Sequence, residues 1–317
     1  MYLETSVAVV VPCYNEELLV TRVLDTMPDY VDAVYVVDDC SQDSTVEVVE
    51  RYIAASNSQR VKLIRHAANQ GVGGAIITGY LAAAKDGMEV IGVMAGDAQM
   101  DPDDLRVLVE PVAKGEIDYA KGNRLASGEA WYQIPRVRYL GNVALSLMTK
   151  IASGYWHIFD SQTGYTVISR EAVETIRWER VWRGYGFPNH VLIMLNIDNF
   201  RVRDIPVKPV YNIGEKSGIR LWRVMPSISL LLLRGFFRRL FEKFVIRDAH
   251  PLVLFYLFGL LTFIPGLLIG LYFLLYRLFS GPVATTSVLF AMFLILFGLN
   301  FLMFALWFDM DSSRHLR

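Results

Sequence analysis

Two apolar segments, Pro251–Tyr276 and Val283–Phe308, constrain this chain more than any other feature. Each exceeds the ~20 residues needed to cross a bilayer, and neither contains a charged side chain. The six residues between them, Arg277–Pro282, allow only a tight turn, so the pair reads as a transmembrane hairpin. Arg234, Arg238, Arg239, Lys243 and Arg247 precede the first segment, and Arg314 and Arg317 follow the second. Arg277 is the one cation between them, so the positive-inside bias puts both ends at the cytoplasmic face. The competing reading, a helical hairpin buried in a soluble protein, is disfavoured because no charge interrupts either run.

The hydrophobic content of 53% over 317 residues is concentrated in this hairpin; Met1–Tyr211 has the mixture of an ordinary soluble domain. There the pattern alternates. The continuous apolar run Val7–Pro12 predicts a strand buried on both faces, and Ala33–Asp38, Val61–Arg65 and Val90–Ala95 read as further strands. Helical patterns at Glu16–Met27, Ser44–Ser56 and Gly73–Asp86 separate them. This βαβαβαβ order predicts a mostly parallel α/β sheet that binds its ligand at the C-terminal strand ends. Further on, a helix is expected at Pro102–Ala113, a strand at Tyr119–Gly122 and helical spacing at Tyr132–Tyr155. Strands follow at Thr166–Ser169 and Asp198–Pro206, then a polar loop at Tyr211–Ser217. The N-terminus lacks a basic region, apolar core and cleavage site, so the domain is expected to stay in the cytosol. Cys13 and Cys40 have no metal or disulfide spacing and read as thiols in a reducing compartment. A net charge of -1 gives no basic field for nucleic acid.

Ile219–Arg247 interleaves Leu230–Leu233, Phe236, Phe237, Leu240, Phe241 and Phe244 with arginine and lysine. That is the composition of helices lying in the membrane interface, with Pro226 expected to divide the segment in two. A basic face packed on the soluble domain is the alternative.

Four clusters fall where strands end: Pro12–Glu16, Asp38–Thr45, Asn69–Ala75 and Gly96–Asp101. Singly, an acidic pair before a helix is often a cap and a glycine run often a turn. Together on one rim they suit a nucleotide-diphosphate sugar. An aromatic and a carboxylate can stack on a base and bond its edge, and glycines let backbone approach ribose and pyrophosphate. Asp97 and Gln99 offer hard oxygen ligands for Mg²⁺ or Mn²⁺.

The motifs Pro-x-Tyr-Asn-Glu, Val-Asp-Asp-x-Ser-x-Asp-x-Thr and Asn-x-Gly-x-Gly-x-Ala resemble those of the inverting family 2 glycosyltransferases of GT-A fold. With the C-terminal hairpin, the chain resembles the polyprenyl-phosphate group, which includes dolichyl-phosphate mannose and glucose synthases. The resemblance implies that Pro12, Tyr14, Glu16 and Asp39 contact the nucleoside, with Asn69, Gly71 and Gly73 beside it and Asp97 and Gln99 holding the metal. Where the family shows Asp-x-Asp-x-Gln, Ala95 replaces the first Asp, leaving Asp101 or water to complete the ligand set. Gly122-Asn123-Arg124 matches the family's Gly-Ser-Arg; by resemblance Arg124 and Arg138 hold the lipid phosphate, as an arginine fork suits it. Asp160–Tyr165 resembles a motif whose Asp lies beside the reacting centre, while Lys216 and Arg220 sit where the family has a phosphate-contacting loop. The five histidines show no metal spacing.

The expected organisation is a cytoplasmic GT-A catalytic domain over residues 1–218, juxtamembrane amphipathic helices over 219–248, and a transmembrane hairpin with a short cytoplasmic tail over 249–317. The expected reaction is inverting transfer of a sugar from a UDP- or GDP-sugar to dolichyl or undecaprenyl phosphate at the bilayer surface, with a divalent cation and Asp97, Asp160, Arg124 and Arg138 in catalysis. The resemblance leaves a homo-oligomer open. A processive polysaccharide synthase is the alternative within enzymes, but Leu221-Trp222-Arg223 lacks that group's Gln-x-x-Arg-Trp motif and one hairpin forms no polymer channel. A catalytically silent scaffold is the alternative outside them, favoured by Ala95 alone.

Overall fold

The continuous β-branched runs become strands with no exposed face: Val7–Cys13 (β1) and Ala33–Asp38 (β2) are buried along their whole length in the computed structural model. The structure describes residues 1–56, 59–125, 136–208 and 221–317. Val61–Arg65 (β3), Val90–Val93 (β4), Tyr119–Asn123 (β5), Thr166–Ser169 (β6) and Val202–Pro206 (β7) complete a seven-stranded sheet ordered β3-β2-β1-β4-β6-β5-β7. Strands β1 to β4 pair in parallel. Strand β6 runs antiparallel to both β4 and β5, and β5 pairs in parallel with β7. Two antiparallel steps restore direction, so β5 ends on the same edge as β1 and β4, and the segment entering β6 starts there. That shared edge is where the sequence clusters converge.

Helices Val20–Asp25 (α1), Thr45–Ser56 (α2) and Val72–Lys85 (α3) accompany the sheet's first half, and Leu105–Ala113 (α4) packs on β4, β6 and β5. Arg136–Ser153 (α5), Arg170–Thr175 (α6) and Phe187–Ile197 (α7) accompany the second. Helix α1 is shorter than the predicted Glu16–Met27: Glu17–Leu19 forms a turn in which the Leu19 and Val20 N–H groups both bond the Glu16 carbonyl, and the Glu16 and Glu17 N–H groups donate to Thr45 Oγ1 and Asp43 Oδ2. Strand β7 starts later than the predicted Asp198, since Asn199 takes a left-handed φ of 60° in a turn. The loop expected at Tyr211–Ser217 lies outside the described residues.

Contacts divide the chain into one unit of Met1–Phe237 with His315–Arg317 and another of Arg238–Arg314. Pro226 does not divide the juxtamembrane segment. Helix α8 runs unbroken from Leu221 to Arg239, since a proline in the second turn removes one backbone bond there, and Ile228 and Leu232 bury beyond it. Leu240–Arg247 then widens into a π-helix.

In the second unit, α9 (Leu252–Phe279) and α10 (Thr285–Ser312) are each long and apolar enough to cross a membrane. They pack closely through small residues; a Cβ on Gly298 would lie 2.5 Å from the backbone N of Phe263, and one on Gly266 2.9 Å from that of Ile295. Arg239 and Asp309 form a fully buried fork-to-fork pair, Nη1 to Oδ1 at 2.7 Å and Nη2 to Oδ2 at 2.6 Å. Arg239 precedes the first span and Asp309 ends the second, so the pair ties both ends of the hairpin on one side.

Candidate active site

The loops after β1 and β2 are laced together by short polar side chains. Asn15, with a left-handed φ of 58°, donates its N–H to Ser41 Oγ at 2.9 Å and accepts from the Gln42 N–H through Oδ1 at 2.8 Å. Asp43 caps α2, accepting from Thr45 N at 3.0 Å and Thr45 Oγ1 at 2.5 Å. Burial pushes its carboxyl up, but the bonds from Thr45 and Glu17 outweigh this and hold it below the usual range. Pro12 ends β1 buried, and Tyr14 stands exposed beside it.

Asp38 and Asp39 are both buried but differ in what they do. Asp39 accepts from Gln70 N and Gly71 N, each at 2.8 Å, and from His66 Nδ1 at 2.7 Å; His66 Nε2 meets Thr78 Oγ1 at 2.9 Å. Asn69 Nδ2 donates to the Asp39 carbonyl at 3.1 Å. Asp39 thus shapes the Asn69–Gly71 loop. Asp38 accepts from Ser41 N through Oδ2, while its Oδ1 is buried with no hydrogen-bond partner among the described residues. A buried, unmet acceptor next to a ligand rim is an invitation to a donor from the ligand.

The space left by Gly71 and Gly73 is used within the chain. Cβ atoms there would lie 2.8 and 2.7 Å from the Arg183 carbonyl oxygen, which accepts from Gly73 N at 2.8 Å. Arg183 Nη1 also donates to Gln70 Oε1 at 2.7 Å. These glycines admit the Trp182–Gly186 loop against the start of α3.

After β4 the chain turns sharply. A Cβ on Gly96 would meet Cys13 Sγ at 2.6 Å, and Ala98 has φ 55°. Half-buried Asp97 accepts from Gln99 N through Oδ1 at 3.1 Å. Asp101 is committed elsewhere: its Oδ1 caps the next turn by accepting from Asp103 N at 3.0 Å, and its carbonyl accepts from Tyr165 OH at 2.8 Å. The Glu16 carboxyl is pushed up to about 7, first by burial and then by the charges of Asp97 and Asp43. No three His, Cys, Asp or Glu side chains form a ligand cluster among the described residues. The residue types nevertheless suit a hard divalent cation: Asp97 and Gln99 supply oxygen donors two positions apart, and the charges of Asp97 and Asp43 are felt at Glu16.

Along the same edge, Arg124 and Asp160 join. Asp160 is wholly buried and accepts from Arg124 N at 3.1 Å, Nε at 2.8 Å and Nη2 at 3.2 Å, and from Gln162 N at 3.2 Å. Burial raises the carboxyl, but the Arg124 guanidinium and then Lys121 outweigh it and hold Asp160 below the ordinary range. The Arg124 side chain stays 29% exposed, so the pair presents a fixed guanidinium at the rim. Arg138 lies in the first turn of α5 with its side chain outside the described residues, as are Lys216 and Arg220.

Lys121, Asp204 and His66 are functional candidates that sequence reasoning missed. Lys121 is fully buried, donates to the Thr163 carbonyl at 2.7 Å, and is lowered to about 8 by burial. Asp204 accepts from Asn123 Nδ2 at 3.0 Å and Phe159 N at 2.6 Å and is pushed up to about 6 by burial. The available signal was a charge inside each of two short strands, Tyr-Ala-Lys-Gly and Val-Arg-Asp-Ile-Pro.

The Glycosyl transferase family 2 model matches residues 8–177. A UDP-N-acetylglucosamine–dolichyl-phosphate N-acetylglucosaminyltransferase of Methanococcus voltae is 27% identical over 232 residues, covering 70% of this chain and 91% of its own. A polyprenol monophosphomannose synthase of Mycolicibacterium smegmatis is 26% identical over 235 residues, covering 72% and 87%. Among solved structures, glucosyl-3-phosphoglycerate synthase from Mycobacterium tuberculosis, in complex with Mn²⁺, UDP and glucosyl-3-phosphoglycerate, superposes with TM-score 0.54 at 19% identity over 74% of this chain and 80% of that one. The fold is therefore GT-A, as the motifs predicted, followed by two helices of membrane-spanning length.

Proposed function

This chain belongs to glycosyl transferase family 2, and from that premise we propose that it transfers a sugar from a nucleotide-diphosphate donor to a polyprenyl phosphate at the cytoplasmic membrane face, with inversion. One observation carries the reading. The carboxylate-rich turn holding Asp97 and the Arg124–Asp160 pair lie on one sheet edge, in a chain that also bears two span-length helices.

The donor half is the groove formed by Pro12, Tyr14, Glu16 and the Asp38–Asp39 pair, with the unmet Oδ1 of Asp38 accepting from the base or ribose. Asp39, Asn69, Gly71 and Gly73 keep the groove's wall in place. Asp97 and Gln99 would hold a divalent cation, whose charge offsets that developing on the departing nucleoside diphosphate. On the acceptor half, Arg124 grips the lipid phosphate while Asp160 holds the guanidinium in orientation; Arg138, Lys216 and Arg220 are proposed to add positive charge. The nucleophile is a phosphate oxygen, anionic at neutral pH, so the attack needs no general base. Asp160, saturated by Arg124, is accordingly a positioning group. Electrostatic preorganisation on both sides carries the rate.

The test is to incubate the purified full-length protein with labelled UDP- or GDP-sugars, Mn²⁺ or Mg²⁺ and polyprenyl phosphate. A lipid-extractable labelled product with the opposite anomeric configuration is expected. No such product with any donor sinks the proposal. Loss of transfer in Asp97→Ala, with retention in the control Gln42→Ala, supports the assignment of the cation's ligand.

A further inference from the structure

We propose that the catalytic unit itself docks on the bilayer interface, through a patch in which the Trp182–Gly186 loop and α5 extend the outer stripe of α8. This rests on the reading that α9 and α10 cross a membrane. Helix α8 has two apolar faces. On the inner one, Ile228 and Leu232 are 4% and 2% exposed and Gly235 abuts Ile193. On the outer one, Leu230, Leu233 and Phe237, at helical spacing, stay 47%, 54% and 50% exposed.

Both flanks of α8 adjoin other elements. On one side, Ser229 Oγ reaches Met148 Sδ of α5 at 3.9 Å, and neighbouring Leu147 is exposed as well. On the other, a Cβ at Gly186 would meet Leu231 Cδ2 at 2.6 Å, Trp182 Cδ1 at 3.5 Å and Ile228 Cγ1 at 3.6 Å, which seats the loop against the helix. The loop's backbone is well held: Trp182 N donates to His190 Nδ1 at 2.8 Å, and the Arg183 carbonyl accepts from Gly73 N at 2.8 Å. Its aromatic side chains are nevertheless turned outward, with Trp182 48% and Tyr185 55% exposed. Scattered exposed apolar residues are ordinary, but a contiguous patch on three adjoining elements marks a binding surface.

The occupant is a lipid surface. Helix α8 leads through Leu240–Arg247 directly into the first span-length helix, so the patch is continuous along the chain with a membrane-crossing element. Tryptophan and tyrosine favour the headgroup level, where one end of each ring system stays wet. Arg234 is exposed on α8 beside the stripe, giving a charge that complements anionic headgroups. A second copy of the chain fits less well, since an isologous contact would bring an Arg234 from each copy into one apolar seam.

The test uses the full chain in phosphatidylcholine/phosphatidylglycerol vesicles whose acyl chains carry bromine near the headgroup. Subtracting the emission of Trp182→Phe from that of the wild type isolates Trp182, and Trp307→Phe isolates Trp307 of α10 as the reporter of span insertion. We expect Trp182 emission to be lost in brominated lipid and protected from aqueous iodide. Quenching of Trp307 with Trp182 open to iodide and insensitive to bromine overturns the proposal alone. Trp182 protected from both quenchers means a protein covers the patch, which also overturns it. Absence of Trp307 quenching overturns the spanning premise and the proposal together.

Discussion

Replacing Asp160 by Asn separates two roles for a carboxylate beside a reacting centre. The change keeps the side chain's size but removes its charge and turns one acceptor into a donor that faces Arg124. Four bonds between 2.8 and 3.2 Å converge on Asp160 at zero exposure, three of them from Arg124. Breaking such a buried pair costs about 3–5 kcal/mol of stability. A guanidinium no longer fixed on the acceptor phosphate costs about 2.7–4 kcal/mol in the transition state, or roughly 10²–10³ in rate. The measurements are melting temperature, KM for donor, and kcat/KM for polyprenyl phosphate across pH. Because Arg124 and Lys121 hold the Asp160 carboxyl below its unfolded value, the stability it contributes is present above about pH 4 and lost as pH falls through the lower folded value. A group ionised throughout the working range yields no acidic limb in the rate profile. Asp160→Asn should therefore lower kcat/KM for acceptor, leave donor KM unchanged and leave the pH profile's shape intact. An Asp160→Asn protein of normal melting temperature that loses all turnover, from a parent whose acidic limb titrates near neutrality, would refute positioning and make Asp160 the base.

Three further outcomes follow from the same geometry. With Glu16 raised to about 7, folded protein binds more protons than unfolded between about pH 4.3 and 7, so its destabilising charge is fully present above pH 7 and absent below the unfolded value. Mn²⁺ should accordingly raise the melting temperature more at pH 8 than at pH 5, and Glu16→Gln should flatten that difference in a thermal-shift titration. Gly73→Ala places a Cβ 2.7 Å from the Arg183 carbonyl and 2.6 Å from the Phe187 ring, and overpacking of that kind costs about 1–3 kcal/mol, read as a lower denaturation midpoint. Asp309→Asn strands the buried Arg239 and should cost about 3–5 kcal/mol in detergent unfolding, whereas Arg239→Met with Asp309→Leu together should recover most of it.

Legibility followed the range of the interactions. Strands β1 and β2 were readable because burial on both faces writes a continuous apolar run, and α9 and α10 because a bilayer demands length and purity of composition. Antiparallel β6 between β4 and β5 was not readable, since nothing local in Thr166–Ser169 states its partners or direction. The stretch from Glu16 looked helical because periodicity does not register the turn at Glu17–Leu19, whose start is held from the next loop by Thr45 and Asp43. Gly71 and Gly73 signalled a close backbone approach, but which backbone approaches depends on Arg183, over a hundred positions away (a separation of 113 at its bond to Gln70). Arg124 and Asp160 were each singled out by motif, yet their pairing across 36 residues belongs to the fold.

That pairing explains how the edge divides its charge. On the donor side Glu16, Asp97 and Asp43 crowd together, and the strain registers on Glu16. Ala95, in place of a further carboxylate, keeps that repulsion from growing, while its N–H turns inward to Met100 Sδ at 3.3 Å. Among the described residues on the proposed acceptor side, Arg124 has Asp160 close by and Lys121 feels both Asp160 and Asp204. On the proposed reading, the crowded carboxylates would draw a divalent cation to the donor half and, with it, the diphosphate of the donor. On the same reading the lipid phosphate would meet a guanidinium already oriented by a buried partner, so less ordering would remain when the two anions are brought face to face. Removing the negative crowding and removing the Asp160 brace should therefore fail differently, the first in donor binding and the second in acceptor alignment.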